Sequence, residues 1–197
     1  MDVGSGYGFF IKAIGDVGFQ ATGLEVSSAR REISKTITNV PLLSKAITGP
    51  NKTKNRYDII TLIHVLEHIK DPIKLCSDLR SYLKKDGTLI IEVPNTNHYL
   101  LKINKPYKDF FWQRAHISYF TEKTVRRVLE EAGYQIVKIK GVQRYTFINA
   151  LNWIFLGKPQ LSKPSYQIKT FTRVDNLYKK FITNKLICDT LWIEAKV

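Results

Sequence analysis

Four groups of residues in this chain have types and spacings that chemistry can use: a glycine-rich start, an acid downstream of it, a His-Glu-His cluster and an isolated histidine. The start, Asp2-Val3-Gly4-Ser5-Gly6-Tyr7-Gly8, sets glycines at every second position behind an acid. Glycine lets the backbone approach a ligand where any Cβ would collide. A helix from Phe9 to Val17 would then aim its free N–H groups at a carboxylate or phosphate. Glu25 stands 17 residues beyond Gly8, near the spacing of about 20 at which a carboxylate meets ribose hydroxyls. Together these read as a nucleotide-cofactor loop with its ribose acid in place. The dinucleotide fingerprint has its third glycine five positions after the first, whereas Gly4, Gly6 and Gly8 run G-x-G-x-G. That spacing disfavours a nicotinamide oxidoreductase.

The third group is His64, Glu67 and His68, whose i, i+3 and i+4 spacing allows the side chains to share a helix face. The fourth is His116, ahead of Ser118-Tyr119-Phe120-Thr121. A histidine titrates near neutrality, which suits a base that takes a proton from a hydroxyl. Three readings of the Glu67-His68 pair stay open: it bonds to nearby backbone and only positions its helix, it supplies a base, or it holds a metal. The spacing is not H-E-x-x-H, and no metal is expected.

These residues need elements to position them. Ala21 to Val26 reads as a strand closed by Glu25. Ser27 or Ser28 caps a helix running through Arg30 to about Thr36. Val40 to Ala46 is a candidate short third strand, followed by a polar loop from Gly49 to Arg56. Tyr57-Asp58-Ile59-Ile60-Thr61-Leu62-Ile63 has the near-continuous apolar run of a parallel strand covered on both faces. Asp71-Pro72 opens a helix with Ile73, Leu75, Leu79 and Leu83 as apolar positions, and Asp86-Gly87 is expected to stop it. Thr88 to Val93 is the next buried strand, ended by Pro94-Asn95. Thr121 caps a helix with Val125, Val128, Leu129 and Ala132 on one face and Gly133 as its stop. Tyr134 to Val142 and Leu191 to Val197 complete the strands. Strands alternating with helices imply βαβ units on a largely parallel sheet.

A chain of 197 residues, 44% hydrophobic, suits one α/β domain. Cys76 and Cys188 carry no metal-ligand spacing and suggest no disulfide framework, which fits a reducing cytoplasm. No export segment leads the chain, and the longest apolar run, Tyr145 to Leu156, is shorter than the ~20 residues that span a bilayer. The net charge of +14 would favour anionic partners, but the basic residues are scattered, from Lys35 and Lys45 to Arg126 and Lys179. A solvated surface explains them better than a nucleic-acid interface.

Asp2 to Gly8, Glu25, Tyr57-Asp58-Ile59-Ile60, Val65-Leu66-Glu67-His68 with Asp71-Pro72, Leu83 to Gly87 before a strand ending Val93-Pro94-Asn95, and His116 to Gly133 occur in order at familiar spacing. Over roughly Asp2 to Val142 the chain resembles class I S-adenosylmethionine-dependent methyltransferases, in the small-molecule branch that contains ubiquinone-type O-methyltransferases and sugar-modifying enzymes. The resemblance implies a Rossmann-like, seven-stranded, mostly parallel sheet with helices on both faces and an antiparallel last strand. It implies S-adenosylmethionine at the carboxyl ends of the first strands, with Asp2 facing its amino group, Gly4 and Gly6 under it and Glu25 on the ribose. Ile63 and His64 lie at the end of the next strand, and Tyr7 either covers the cofactor or packs beside the loop. On the acceptor side it points to His116 and His68 as catalytic, with His116 the first choice for the base and Trp112 in the same cavity. The implied partner is a small molecule with a sugar or quinone-like hydroxyl, or a carbon, as acceptor.

Three departures from the family pattern stand out. His64 occupies a position where ubiquinone-type relatives carry an acid, which weakens the metal reading. No acid lies between Glu32 and Asp58 to read the adenine amino group, so a backbone carbonyl or Asn51 would substitute. Only Met1, Asp2 and Val3 precede Gly4, so the central strand is expected to be truncated and the domain N-terminally incomplete. An aromatic insertion at about 144–188, with Tyr145 to Leu156 flanked by Arg144 and Lys158, is an acceptor-pocket wall or core, a dimer surface or an interfacial membrane helix. Phe110, Phe111 and Trp112 line an acceptor cavity or fill core. The competing functions are a non-catalytic methyltransferase-like remnant and a nucleic-acid methyltransferase. The latter lacks its Asn-Pro-Pro-aromatic motif after Ile63.

Overall fold

Near-continuous runs of β-branched and leucine residues, separated by capped amphipathic segments, build a sheet covered by helices. The computed structural model describes residues 1–52, 56–159 and 169–197. Among these the strands are β1 (Asp2–Val3), β2 (Gly23–Leu24), β3 (Tyr57–Ile63), β4 (Leu83–Pro94), β5 (Gln135–Val142) and β6 (Thr190–Lys196). The helices are α1 (Phe9–Asp16), α2 (Ser28–Ile37), α3 (Pro72–Arg80), α4 (Leu100–Ile103), α5 (Lys105–Phe111), α6 (Glu122–Glu131), α7 (Phe147–Leu156) and α8 (Lys169–Asn184), with a 3-10 turn at Leu66–His68.

The strands lie in the order β2-β1-β3-β4-β6-β5. β1 pairs parallel with β2 and β3, and β3 with β4, while β6 runs antiparallel to both neighbours. The sheet is therefore Rossmann-like with an antiparallel last strand, but it has six strands among the described residues and not the expected seven. The missing one is the segment around Val40 to Ala46, reduced to a single parallel bridge between Leu24 and Leu43. Pro41 has no N–H to give a ladder, and only Leu43 bonds across, its N–H donating to the Gly23 carbonyl at 2.9 Å and its carbonyl accepting from Glu25 at 3.0 Å.

β2 is shorter than Ala21 to Val26 because its partner β1 offers two residues, registered as Asp2 with Gly23 and Val3 with Leu24. β4 begins earlier than Thr88. Tyr57 pairs with Leu83 and Ile59 with Thr88, so residues 84–87 are looped out within one strand. Asp86-Gly87 accordingly lies inside that strand, and α3 has already ended at Arg80.

The core sits between β3, β4 and β6 and the paired helices α3 and α6. Ile60, Leu62, Leu89, Ile91, Leu191 and Ile193 are fully buried there against Leu79 and Leu129. The Tyr134 hydroxyl ties the two helices by donating to the Cys76 carbonyl at 3.0 Å. Cys76 and Cys188 are free, buried thiols. Helix starts follow their caps. Asp71 Oδ1 accepts from the Lys74 N–H at 2.9 Å ahead of Pro72, and Thr121 and Thr124 form a reciprocal capping box on α6.

The aromatic insertion contains α7, whose Trp153 packs with Leu100, Tyr107 and Phe111 in a second small core. Phe111 is thus core, not cavity wall. Phe155 and Leu156 on the same helix are exposed. Among the described residues no helix is long and apolar enough to cross a membrane.

Candidate active site

The site is built on the carboxyl ends of β1, β2 and β3, where open α/β sheets bind ligands. Gly4 and Gly8 both hold φ +78°, a left-handed conformation that L side chains rarely adopt. A Cβ on Gly4 would sit 2.5 Å from Val65 Cγ2, and one on Gly8 would sit 2.5 Å from Ser34 Oγ. The loop is pinned by the N–H groups of Gly4 and Ser5, which donate to the Leu24 carbonyl at 2.8 and 2.9 Å. Helix α1 follows directly, with Gly8 as its N-cap.

Glu25 is 3% exposed and its two oxygens are oriented separately. Oε2 accepts from the Gly6 N–H at 2.9 Å and Oε1 from the Ser27 N–H at 2.9 Å. The Arg30 guanidinium lies 3.8 Å from Oε2. A carboxylate has about four acceptor sites, so each oxygen keeps a lone pair for a ligand hydroxyl. Asp2, under the loop, is buried, accepts from Thr61 Oγ1 at 2.6 Å, and has its pKa raised by that burial. Tyr7 is 43% exposed at the loop's rim.

Ile63 ends β3 opposite Glu92 in register. The next residue, His64, takes φ +54° and donates its N–H to the Glu92 carbonyl at 2.9 Å. Its imidazole spans two buried carboxylates, with Nδ1 3.2 Å from Glu67 Oε1 and Nε2 3.0 Å from Glu92 Oε1. Hydrogen bonds to Glu67 and then Glu92 push its pKa up to about 9, so it is an imidazolium at neutral pH. Burial would raise the Glu92 carboxyl, but His64 and the Arg144 guanidinium beside it outweigh that and hold it below its ordinary value. Two carboxylates and two cations thus balance one another.

A second group of side chains grows from the 3-10 turn. The N–H groups of Ile117 and Ser118 donate to the Glu67 carbonyl at 2.8 and 3.0 Å, drawing the segment before α6 across the end of β3. His68 Nδ1 lies 2.8 Å from the Ala115 carbonyl, and the His68 and His116 rings are 4.8 Å apart at their centroids. Tyr119 stacks edge-on to both His116, at 5.3 Å, and Trp112, at 4.4 Å. Burial lowers the His116 pKa, which keeps that ring neutral at pH 7.

The structure therefore gathers His68, His116 and, through Tyr119, Trp112 into one aromatic wall, and sets Glu25 against the Gly4–Gly8 loop with Asp2 beneath it. His64 sits between the two groups, committed to Glu67 and Glu92. Asn51 lies away from the carboxyl ends of the strands: its backbone N–H donates to Ser81 Oγ at 2.6 Å, beside the amino ends of β3 and β4. A cavity of about 440 Å³ lies toward the amino ends of the strands, between Phe10 and Ile14 of α1 and Ile59 of β3, with Asp2 and Thr61 on its lining.

Glu92, Arg144 and Thr61 are site residues that sequence reasoning passed over. Glu92 had a signal, an acid inside the apolar run Thr88 to Val93. Arg144 had none, since its partners are contributed by β3 and β4.

A glycine loop at the head of a mostly parallel sheet, with an acid closing the second strand, defines a Rossmann-like cofactor-binding domain. Residues 1–139 match the methyltransferase-domain family, and the chain belongs to it. Among curated proteins, it is 28% identical over 102 residues to the ubiquinone biosynthesis O-methyltransferase of Coxiella burnetii, covering 49% of this chain and 44% of that protein. It is 31% identical over 107 residues to the Haemophilus ducreyi enzyme of the same name, covering 48% and 44%. The chain spans less than half the length of these relatives. Among solved structures, a SAM-dependent methyltransferase from Archaeoglobus fulgidus superposes with a TM-score of 0.65 at 17% identity, over 100% of this chain and 84% of that one. Magnesium protoporphyrin IX methyltransferase from Synechocystis, with bound SAH, gives 0.59 at 15% identity over 99% and 72%. These likenesses establish the fold.

Proposed function

We propose that the chain binds S-adenosylmethionine and transfers its methyl to a hydroxyl of a small-molecule acceptor. The observation that carries this is Glu25, a buried carboxylate whose oxygens are aimed by the Gly6 and Ser27 N–H groups beside a loop that only glycines can form. Gly4 and Gly6 admit the cofactor's backbone approach, Asp2 faces its amino group, and Tyr7, Ile63 and His64 border it. The bound cofactor supplies an activated methyl; the protein's part is to orient the acceptor, exclude water and take a proton. His116 is the base, because its ring is neutral and stands at the end of the aromatic wall formed with Trp112 and Tyr119. His68 is the second candidate, with Nδ1 occupied by Ala115 and Nε2 open. The curated relatives favour a quinone-like or other small acceptor over nucleic acid. Free, buried cysteines support a cytoplasmic location.

Calorimetric titration with S-adenosylmethionine tests the assignment. A hydrogen bond to a charged group contributes about 1.5–3 kcal/mol, so Glu25→Ala should weaken binding about tenfold or more. An unchanged dissociation constant would remove the cofactor from this loop.

A further inference from the structure

Glu67 has one oxygen without an occupation. Oε1 faces the His64 ring, but Oε2 is fully buried with no hydrogen-bond partner among the described residues, on a side chain that is 1% exposed. A buried polar atom left unpaired costs about 1–3 kcal/mol, so the position calls for a partner. His116 Nδ1 is buried and unpaired in the same place. His68 completes the group: one donor atom from each of Glu67, His68 and His116 lies within 4.8 Å of the others.

From this we infer that Glu67, His68 and His116 form a binding site for one divalent transition-metal ion of the zinc, cobalt or iron type. Two imidazoles and one carboxylate are the donor set such ions take, and the hard-oxygen shell that magnesium needs is not present. The outer contacts are already those of a metal centre. The Ala115 carbonyl holds His68 Nδ1–H, which fixes the tautomer and leaves Nε2 with its lone pair free. His64 orients the carboxylate from its other oxygen. The Ile117 and Ser118 N–H groups clamp the His116 segment onto the Glu67 carbonyl. Ligands at about 2.0–2.2 Å from zinc stand about 3.3 Å from each other in a tetrahedral shell. The donor atoms, now within 4.8 Å of one another, must close by about 1.5 Å, and His68, exposed, and His116, partly so, are the side chains with room to move. Three protein ligands leave the remaining position open toward the aromatic wall. With an ion bound, His116 and His68 would be its ligands, so the base role of His116 belongs to the metal-free chain; an acceptor oxygen that joined the shell would be acidified by coordination instead.

The inference concerns metal binding and does not rest on S-adenosylmethionine binding, but in the metal-bound chain it replaces the base role of His116. Protein stripped with EDTA and titrated with Co2+ should show visible d–d absorption bands that saturate at one ion per chain, and Zn2+ should displace them. His116→Ala and His68→Ala should each weaken Co2+ binding about tenfold or more, and Glu67→Gln likewise. Should Glu67→Gln fail to fold by circular dichroism, the two histidine variants, at less buried positions, decide alone. No bands in the unaltered chain, or bands with undiminished affinity in both histidine variants, would overturn the site. Titrating S-adenosylmethionine into the same preparations keeps the two readings apart, because loss of either binding leaves the other measurable.

Discussion

At the scale of residues, the charge balance around His64 makes a direct prediction. Glu92 is 4% exposed in its side chain and depends on His64 and Arg144 to stay ionised. Arg144→Met should destabilise the fold by about 1–3 kcal/mol, the cost of stripping a partner from a buried charged group. Adding Glu92→Gln to that variant should recover much of the loss, because the uncompensated charge is gone. Urea midpoints of the four members of this cycle measure it, and strictly additive losses would show that the pair is not coupled. Of these contacts only His64 with Glu67 could be read from spacing. His64 and Glu67 are neighbours in sequence, but Arg144 is 80 residues from His64.

At the scale of elements, α6 carries the His116 segment on its N-terminal side, and its capping box sets where it begins. Thr121→Ala removes the acceptor for the Thr124 N–H and should cost about 1 kcal/mol. Cofactor affinity should not change, since the loop of Gly4 and Glu25 lies on other elements; a parallel fall in affinity would tie α6 to cofactor binding. The glycine loop behaves oppositely. Gly8→Ala places a Cβ 2.5 Å from Ser34 Oγ in a left-handed backbone, so it should lower both the thermal midpoint and S-adenosylmethionine affinity, because α1 can no longer start at Phe9. Cap and turn residues were legible here because their signals are local: Asp71-Pro72, Thr121 and Gly133 are read from a few neighbours. The third strand was misjudged for the complementary reason. Whether Val40 to Ala46 forms a ladder depends on what its neighbour presents, and Pro41 leaves one bridge.

At the scale of the whole molecule, stability should follow a buried histidine. His98 is 1% exposed, stacked between Tyr99 and Tyr107, and its Nδ1 accepts from the Leu100 N–H at 3.2 Å. Burial pushes its pKa down from the ordinary 6.5 to about 4. Between those values the unfolded chain binds a proton that the folded chain refuses, so stability is full above about pH 6.5 and falls as the pH drops toward 4. The loss amounts to no more than about 3 kcal/mol at its acid limit. His98→Asn, which does not titrate, should flatten that part of the stability profile measured by urea unfolding at several pH values. Equal slopes in both proteins would show that folding does not shift the His98 pKa.

The amino-acid sequence by itself determined the alternation of strands and helices, the position of the glycine loop and the acid that closes the second strand. Each of these is written in short-range periodicity or in a spacing of a few tens of residues, where backbone geometry leaves little choice. Only the tertiary structure decided which histidine joins Glu67 and His68, that His64 bridges Glu67 and Glu92, and that Arg144 completes the balance. Those partnerships depend on which strand ends lie side by side in the order β2-β1-β3-β4-β6-β5. Side chains that meet across strand ends leave no trace in the linear distance between them.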